Sequence, residues 1–412
     1  MFDDLPLVNT AGVTARAAPP RPALLFYCQH SLGIGHLTRS FALAAALLDF
    51  FHVVFLNGGR LPPGLPVPDG IELVDLPALG MDDGHTVVSR EVACDVAQAK
   101  TQRRTLIEAA VRKHRPAVLL VELFPFGRKK FAGEILPMIR LARRQPALVA
   151  CSLRDILVDA RPDQQHHDDR ARWLAERYFD LVLVHADPSL ARLDETFNPR
   201  RPLRVPVCHT GYVVPARAET ANSPRGEHVL VSAGGGMVGN ALFRTALQAR
   251  MLMREPPPMR IIAGPFLPEP HWQSLQQAVR GVAGVELVRQ VPDMVAELRL
   301  ARASISQCGY NTALDIVVSR VPAQVVPYAT SNENEQSVRA SRLAALGALR
   351  HASAAALDAQ RLAGEIDALF AFTPRAAVLN LDGAAHSAQR LHELHAKTTC
   401  TASNGSAICM PA

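Results

Sequence analysis

Aromatic residues make up only 5% of the 412 positions, with two tryptophans among them. So low a content offers no ring platform of the kind nucleic-acid binders stack bases on. The seven cysteines, at 28, 94, 151, 208, 308, 400 and 409, include no CxxC pair. An odd, scattered set argues against a disulfide scaffold and a structural zinc site, and for a reducing compartment. No apolar run reaches the roughly 18 residues of a membrane span; the longest, Phe41 to Leu56, is broken by Asp49 and His52. The opening stretch MFDDLPLVNTAG is acidic and lacks an apolar centre, so it is not expected to act as a secretory signal. The net charge is only +6, a mild attraction for anions such as nucleotides or acidic headgroups. Together these absences lead us to expect a cytoplasmic protein that binds no nucleic acid and has room for peripheral contact with the inner membrane surface.

What is present is an apolar, globular composition of 48% hydrophobic and 20% charged residues, in a chain long enough for two cores. After a loose lead-in ending in APPRP, LLFYCQ reads as a buried strand, HSLGIGH as a Gly-rich turn, His36 to Leu48 as a helix and HVVFLN as a second strand. Apolar runs at Ile71 to Leu76, Ala117 to Val121, Ala147 to Cys151, Leu181 to Val184 and Arg204 to Cys208 continue the pattern. Helical periods fall between them at Glu91 to His114, Lys129 to Arg144 and Asp168 to Tyr178. Strands alternating with helices specify a doubly wound α/β domain. The polar, Pro- and Ala-rich segment near Pro215 to Glu227 reads as a linker. Then HVLVSAGGG restarts the same architecture. The expected divisions are 23–214, 228–372, a C-terminal helix from about Ala376 to His395 within 373–396 and a disordered tail at 397–412.

The chemistry concentrates in three Gly loops. In the stretch from Ser306 to Gln336, an apolar strand runs into a Gly turn at Gly309 and a helix from Asn311. Free N–H groups and the positive helix end there suit a phosphate. Asp315, one turn beyond Asn311, can accept hydrogen bonds from a diol, and Glu335 and Gln336 add further polar groups. The loop SAGGGMVG, with Ser232, Gly234, Gly235 and Gly236, occupies the same strand-to-helix position at the start of the second half. In the first half, Gly33, Gly35, His36 and Arg39 open the first helix. An imidazole at a helix N-terminus is held neutral, which suits a general base.

Ser306, Gly309, Thr312, Asp315, Pro322, Pro327, Glu335 and Gln336 together resemble the donor-binding region of GT-B glycosyltransferases, specifically family 28, the group around the bacterial peptidoglycan N-acetylglucosaminyltransferase. The resemblance implies an α/β GT-B fold in which two doubly wound Rossmann-like domains face a central cleft. It assigns the donor ribose to Asp315, where the family carries Glu, and the donor sugar to Glu335 and Gln336. The uracil falls near Gln290 to Met294, and Asn311 and Thr312 join the donor set. Gly33, Gly35 and His36 match the family's Gly-x-Gly-His loop, which meets the acceptor and the donor phosphates. The implied activity is metal-independent, inverting transfer of a hexose or N-acetylhexosamine from a UDP-linked donor to an acceptor hydroxyl, with no cofactor. The same G-x-G-H-x-x-R loop also resembles the UDP-sugar hydrolase of pseudaminic acid biosynthesis. Hydrolysis, epimerisation or a catalytically silent nucleotide-sugar scaffold therefore stay open beside transfer.

Four first-half strands end in polar groups: Glu122, Arg154 with Asp155, His185 with Asp187, and His209. In an open sheet such ends face one crevice, so they are candidates for an acceptor pocket, with His185 or Asp187 as reserve bases. FPFGRKKFAGEILPMIRLARR mixes apolar and basic residues at helical spacing, which fits either packing on the sheet or contact with an anionic membrane or lipid-linked acceptor. His166, His167, Asp168 and Asp169 are adjacent, so their side chains diverge, and no set has zinc spacing. No metal site is expected.

Overall fold

Successive Val, Leu, Ile and Phe leave no polar side for water, so the apolar runs become parallel strands covered on both faces. The computed structural model describes residues 21–30, 35–62, 64–82, 86–92, 94–158, 161–215, 224–329 and 334–405. The first half holds β1 (Ala23–Cys28), α1 (Gly35–Leu47), β2 (His52–Asn57), β3 (Glu72–Asp75), β4 (Leu79–Met81), β5 (Val87–Ser89), α2 (Val96–His114), β6 (Val118–Glu122), α3 (Ala132–Ala142), β7 (Leu148–Arg154), α4 (Gln164–Tyr178), β8 (Leu181–His185) and β9 (Val207–His209). The second half holds β10 (Val229–Ser232), α5 (Asn240–Leu252), β11 (Met259–Ile262), α6 (Glu269–Val279), β12 (Val285–Val288), α7 (Met294–Leu300), β13 (Ala303–Ser306), α8 (Tyr310–Ser319), β14 (Ala323–Val325), α9 (Glu335–Ala345), β15 (Arg350–His351), α10 (Ala359–Phe370) and α11 (Gly383–Gly405).

Among the described residues the first sheet runs β3-β2-β1-β6-β7-β8-β9 and the second β12-β11-β10-β13-β14-β15. Every pairing within these two sheets is parallel. In each sheet the order reverses once, between β1 and β6 and between β10 and β13. Crevices open at such reversals, beyond the carboxyl ends of the strands. The loops that leave β1, β10 and β13 are the three Gly loops.

After α10 the chain returns to the first half. Val213 bridges Asp382, and the Tyr212 N–H donates to the Asn380 carbonyl at 2.7 Å. Ala388 and Leu391 of α11 are buried in the core that contains Leu37 and Phe41 of α1. This bridge keeps the chain out of helix until Gly383, so α11 starts later than Ala376, the start the sequence suggests. It also runs through Lys397 to Gly405, where a disordered tail was expected. The small polar residues there continue the turns, the Thr398 hydroxyl donating back to the Leu394 carbonyl at 2.9 Å. The rest of the expected tail lies outside the described residues.

The basic-apolar stretch resolves in favour of packing. Phe124, Phe126, Phe131, Ile135, Met138 and Ile139 are all buried in the hydrophobic core. Among the described residues no helix is long and apolar enough to cross one.

Candidate active site

Gly35 and His36 from α1, Gly234 to Gly236 after β10, and Gly309 to Thr312 after β13 line one cavity of about 690 Å³. Arg39, Met294, Asp315, Glu335 and Gln336 border the same space. The two halves meet across it: the Asn311 side-chain amide donates to the Gly35 carbonyl at 3.4 Å. Gln290 to Asp293 also line the cavity.

The second-half wall is built for an anion. Helix α8 begins after Gly309 without a side-chain cap, so its N-terminal N–H groups and the positive end of its dipole are turned toward the cavity. Gly236 sits at φ +88°, and a Cβ there would lie 2.1 Å from the Ala263 carbonyl oxygen. Gly309 differs: its backbone is extended and a Cβ would meet nothing within 4 Å, only open space at the cavity edge. We therefore expect Gly236→Ala to distort the loop and lower the melting temperature, whereas Gly309→Ala folds normally and weakens nucleotide binding by at least about tenfold through steric exclusion alone. Thermal melts and UDP titrations of both variants check this; wild-type UDP affinity in Gly309→Ala would contradict it.

The first-half wall carries a hydrogen-bonded cluster of charged groups around His36. Glu122 ends β6 at the sheet reversal and is fully buried behind His36. Its Oε1 is 2.6 Å from His36 Nδ1 and accepts a hydrogen bond from Arg39 at 2.7 Å; Arg128 Nε is 3.4 Å from Oε2. Burial alone would push this carboxyl up, but His36, Arg128 and Arg39 outweigh it and hold it well below the usual carboxylate range. A carboxylate only accepts, so the His36 proton sits on Nδ1 and the lone pair on Nε2. Burial, aided by Arg128 and Arg154 against the pull of Glu122, pushes His36 down to about 3. The imidazole is thus neutral at every physiological pH.

Other expected site residues fall elsewhere. Ser232 is buried as the last residue of β10, between Ile262 of β11 and Ser306 of β13, and does not line the cavity. His185 is not a cleft base. β8 lies inside the sheet, so its imidazole is fully buried, with Nε2 2.7 Å from the Ser152 hydroxyl and Nδ1 3.1 Å from the Thr210 hydroxyl. Asp187 is not one either: its carboxylate accepts from the Asn380 N–H at 2.7 Å and from Ser189, tying down the returning chain. Of the remaining strand-end groups, Arg154 lines the cavity while Asp155 and His209 do not. Gly33 lies outside the described residues.

Ion pairs join the halves at the cavity wall and in the buried layer behind it. Arg154 of β7 lies 2.5 Å from the Glu335 carboxylate at the start of α9. One turn on, Arg339 makes a buried bidentate pair with Asp155, 2.8 Å at each contact, and donates to the Cys308 carbonyl. The Gln336 carbonyl oxygen accepts the N–H groups of Cys308 and Tyr328, at 3.0 and 3.1 Å, which leaves its amide nitrogen for any ligand. Sequence reasoning passed over Arg339 and Arg128. The Glu335-x-x-x-Arg339 spacing, which puts both groups on one helix face, was the available signal for the first. It also missed an apolar wall formed by Phe41, Ala42 and Ala45 of α1 with Leu65 and Val67.

Burial of His185 has a consequence for stability. It is pushed down to about 3, by burial and then by Arg39. An unfolded histidine takes its proton below about 6.5, so between that pH and about 3 the unfolded chain holds more protons. Stability then falls with falling pH, by up to about 1.4 kcal/mol per unit from this one group. We expect the melting temperature to drop from pH 6.5 to pH 5, before carboxylate protonation contributes; a flat profile over that range would contradict this burial.

Residues 266–394 match the glycosyltransferase family 28 C-terminal domain. The chain is 28% identical over 385 residues to the UDP-N-acetylglucosamine–N-acetylmuramyl-(pentapeptide) pyrophosphoryl-undecaprenol N-acetylglucosamine transferase of Methylobacterium sp. (strain 4-46), covering 90% of this chain and 95% of that one. Solved structures share the fold at low identity. Acinetobacter baumannii MurG aligns at TM-score 0.51 and 16% identity, covering 91% of this chain and 100% of that one. The calicheamicin glycosyltransferase aligns at 0.54 and 18%, covering 94% and 98%. Phytolacca americana UGT2, complexed with UDP-2-fluoro-glucose and pterostilbene, aligns at 0.56 and 17%, covering 92% and 94%.

Proposed function

We propose, from the premise that this chain is a GT-B glycosyltransferase with a family 28 C-terminal domain, that it moves a hexose or N-acetylhexosamine from a UDP-linked donor to an acceptor hydroxyl with inversion. The observation that carries the reading is the cavity itself, with a neutral, carboxylate-oriented histidine on one wall and an uncapped helix N-terminus beside a Gly loop on the other.

The donor diphosphate lies against Gly234 to Gly236 and the first turn of α8, where backbone N–H groups take up the charge that develops as it leaves. Asp315 accepts from the ribose hydroxyls, the uracil rests against Gln290 to Met294, and Glu335 and the Gln336 amide meet the sugar. On the facing wall, Nε2 of His36 takes the proton of the acceptor hydroxyl as its oxygen attacks the anomeric carbon. The carbon–phosphate oxygen bond breaks on the opposite face, and the buried Glu122 carboxylate stabilises the imidazolium that forms. No protein-bound cofactor is required for these steps. The Phe41, Ala45, Leu65 and Val67 wall suits an acceptor whose hydroxyl is borne on a partly apolar molecule, whether lipid-linked or small.

Replacing Asp315 by Asn removes half of the accepting capacity and the charge offered to the ribose. We expect the donor KM to rise about tenfold, with kcat nearly unchanged, since the contact is the same in ground and transition states. An unaltered donor KM would remove Asp315 from the ribose.

A further inference from the structure

A second cluster lies at the opposite edge of the first sheet. His52 opens β2, Glu72 opens β3 and His114 closes α2. The three share no zinc spacing in the sequence, but the fold brings one ligand atom from each within 4.8 Å of the others. His52 Nε2 is 3.1 Å from one Glu72 oxygen and His114 Nε2 is 3.2 Å from the other. A tetrahedral ion with bonds of about 2.1 Å holds its ligands about 3.4 Å apart, so the donors need to open only slightly to admit one.

The framework behind them is firm. Glu72 stands beside Val54 in the parallel register, two residues on from His52. The end of α2 is fixed by Arg115, which turns left-handed at φ 45° and donates its N–H to the Val111 carbonyl, so His114 cannot drift with a fraying helix. His114 is nearly covered, at 9% side-chain exposure, whereas His52 and Glu72 are open at 45% and 33% and leave an entry path and room for a water ligand. Among the described residues the competing cation on Glu72 is Lys113, whose ammonium lies 2.7 Å from Oε1 and must swing into solvent, where most of it already is.

We propose that His52, Glu72 and His114 form a zinc site with three protein ligands and an open fourth position. Two imidazoles and a carboxylate are a donor set that Zn²⁺ takes readily. β2 carries the chain about 17 Å from His52 to the strand ends that face the cavity, at about 3.3 Å per residue. The ion therefore ties the edge strand β3 to β2 and α2 and takes no part in the transfer reaction.

Equilibrium dialysis of the tag-free, chelator-stripped full chain against Zn²⁺ tests the site. The wild type should take up a single saturable equivalent and melt at a higher temperature with zinc than without. His114→Ala and Glu72→Gln should each bind at least about tenfold more weakly, and Lys113→Met should bind more tightly than wild type because the competing cation is gone. Lys113 is exposed, Glu72 part-exposed and His114 nearly covered, and the unliganded melting temperature of each variant shows that it is folded. Equal zinc uptake by wild type and His114→Ala, no saturable uptake by wild type, or no tightening in Lys113→Met would overturn the proposal.

Discussion

His36→Ala is expected to lower kcat by about 10²- to 10⁴-fold, the range over which a positioned general base contributes, while UDP binds as in the wild type. The separation follows from where the residue stands. His36 is on the α1 wall, and the Gly loop and α8 N-terminus that face the nucleotide are on the other. Glu122→Gln should lose a similar share of kcat by another route. A glutamine amide can present either its oxygen or its nitrogen to Nδ1, so the tautomer with a free Nε2 lone pair is no longer enforced, and the imidazolium loses its counter-ion. The two losses should not add, because both act through one nitrogen. Steady-state kinetics of the two single variants and the double variant, with UDP titrations alongside, read this out. Full activity in His36→Ala, or additive losses in the double variant, would contradict the assigned roles.

The second large effect is on stability. Arg339 and Asp155 come from different halves, are both buried, and satisfy each other through two hydrogen bonds of 2.8 Å. Burial pushes Asp155 up, but Arg339 more than reverses it and keeps the carboxylate ionised. Arg339→Met strands that charge in an apolar contact, and breaking a buried pair in this way costs about 3–5 kcal/mol. The double variant Asp155→Asn/Arg339→Met removes both charges and should recover most of the loss. Because Glu335 and Gln336 start the helix that carries Arg339, the single variant should also bind the donor more weakly. Urea unfolding of the single and double variants checks the energies. A double variant no more stable than Arg339→Met would show that the loss does not come from a stranded Asp155 carboxylate.

Much of this arrangement was legible in the sequence, for identifiable reasons. Strands such as LLFYC and VLVS announce themselves because a parallel strand covered on both faces must be apolar throughout. The Gly loops announce themselves because they follow such strands and open helices. The β4–β5 hairpin is too short for periodicity to register, three residues a side with Gly80 in one of them. The α2 start was displaced from Glu91 to Val96 by the Asp95–Gln98 capping box, a signal that was present and overlooked. In the site, strand-end position singled out Glu122, Arg154 with Asp155, His185 with Asp187, and His209, but it cannot tell which ends lie at a sheet reversal. Glu122 does and stands behind His36. His185 lies two strands further on, where neighbouring strands and the Ser387 side chain of the returning α11 cover it. That covering, like the Asn380 N–H on Asp187, depends on contacts across nearly 200 residues, which no local pattern records.

The fate of a labelled sugar tests the central claim most directly. The protein is incubated with UDP-N-acetylglucosamine radiolabelled in the sugar, together with a cell extract as the acceptor source, and the products are separated. Label is expected in an extractable acceptor together with stoichiometric UDP, both lost in His36→Ala. Label recovered only as free sugar, or nucleotide bound without turnover, would contradict transfer across the cleft.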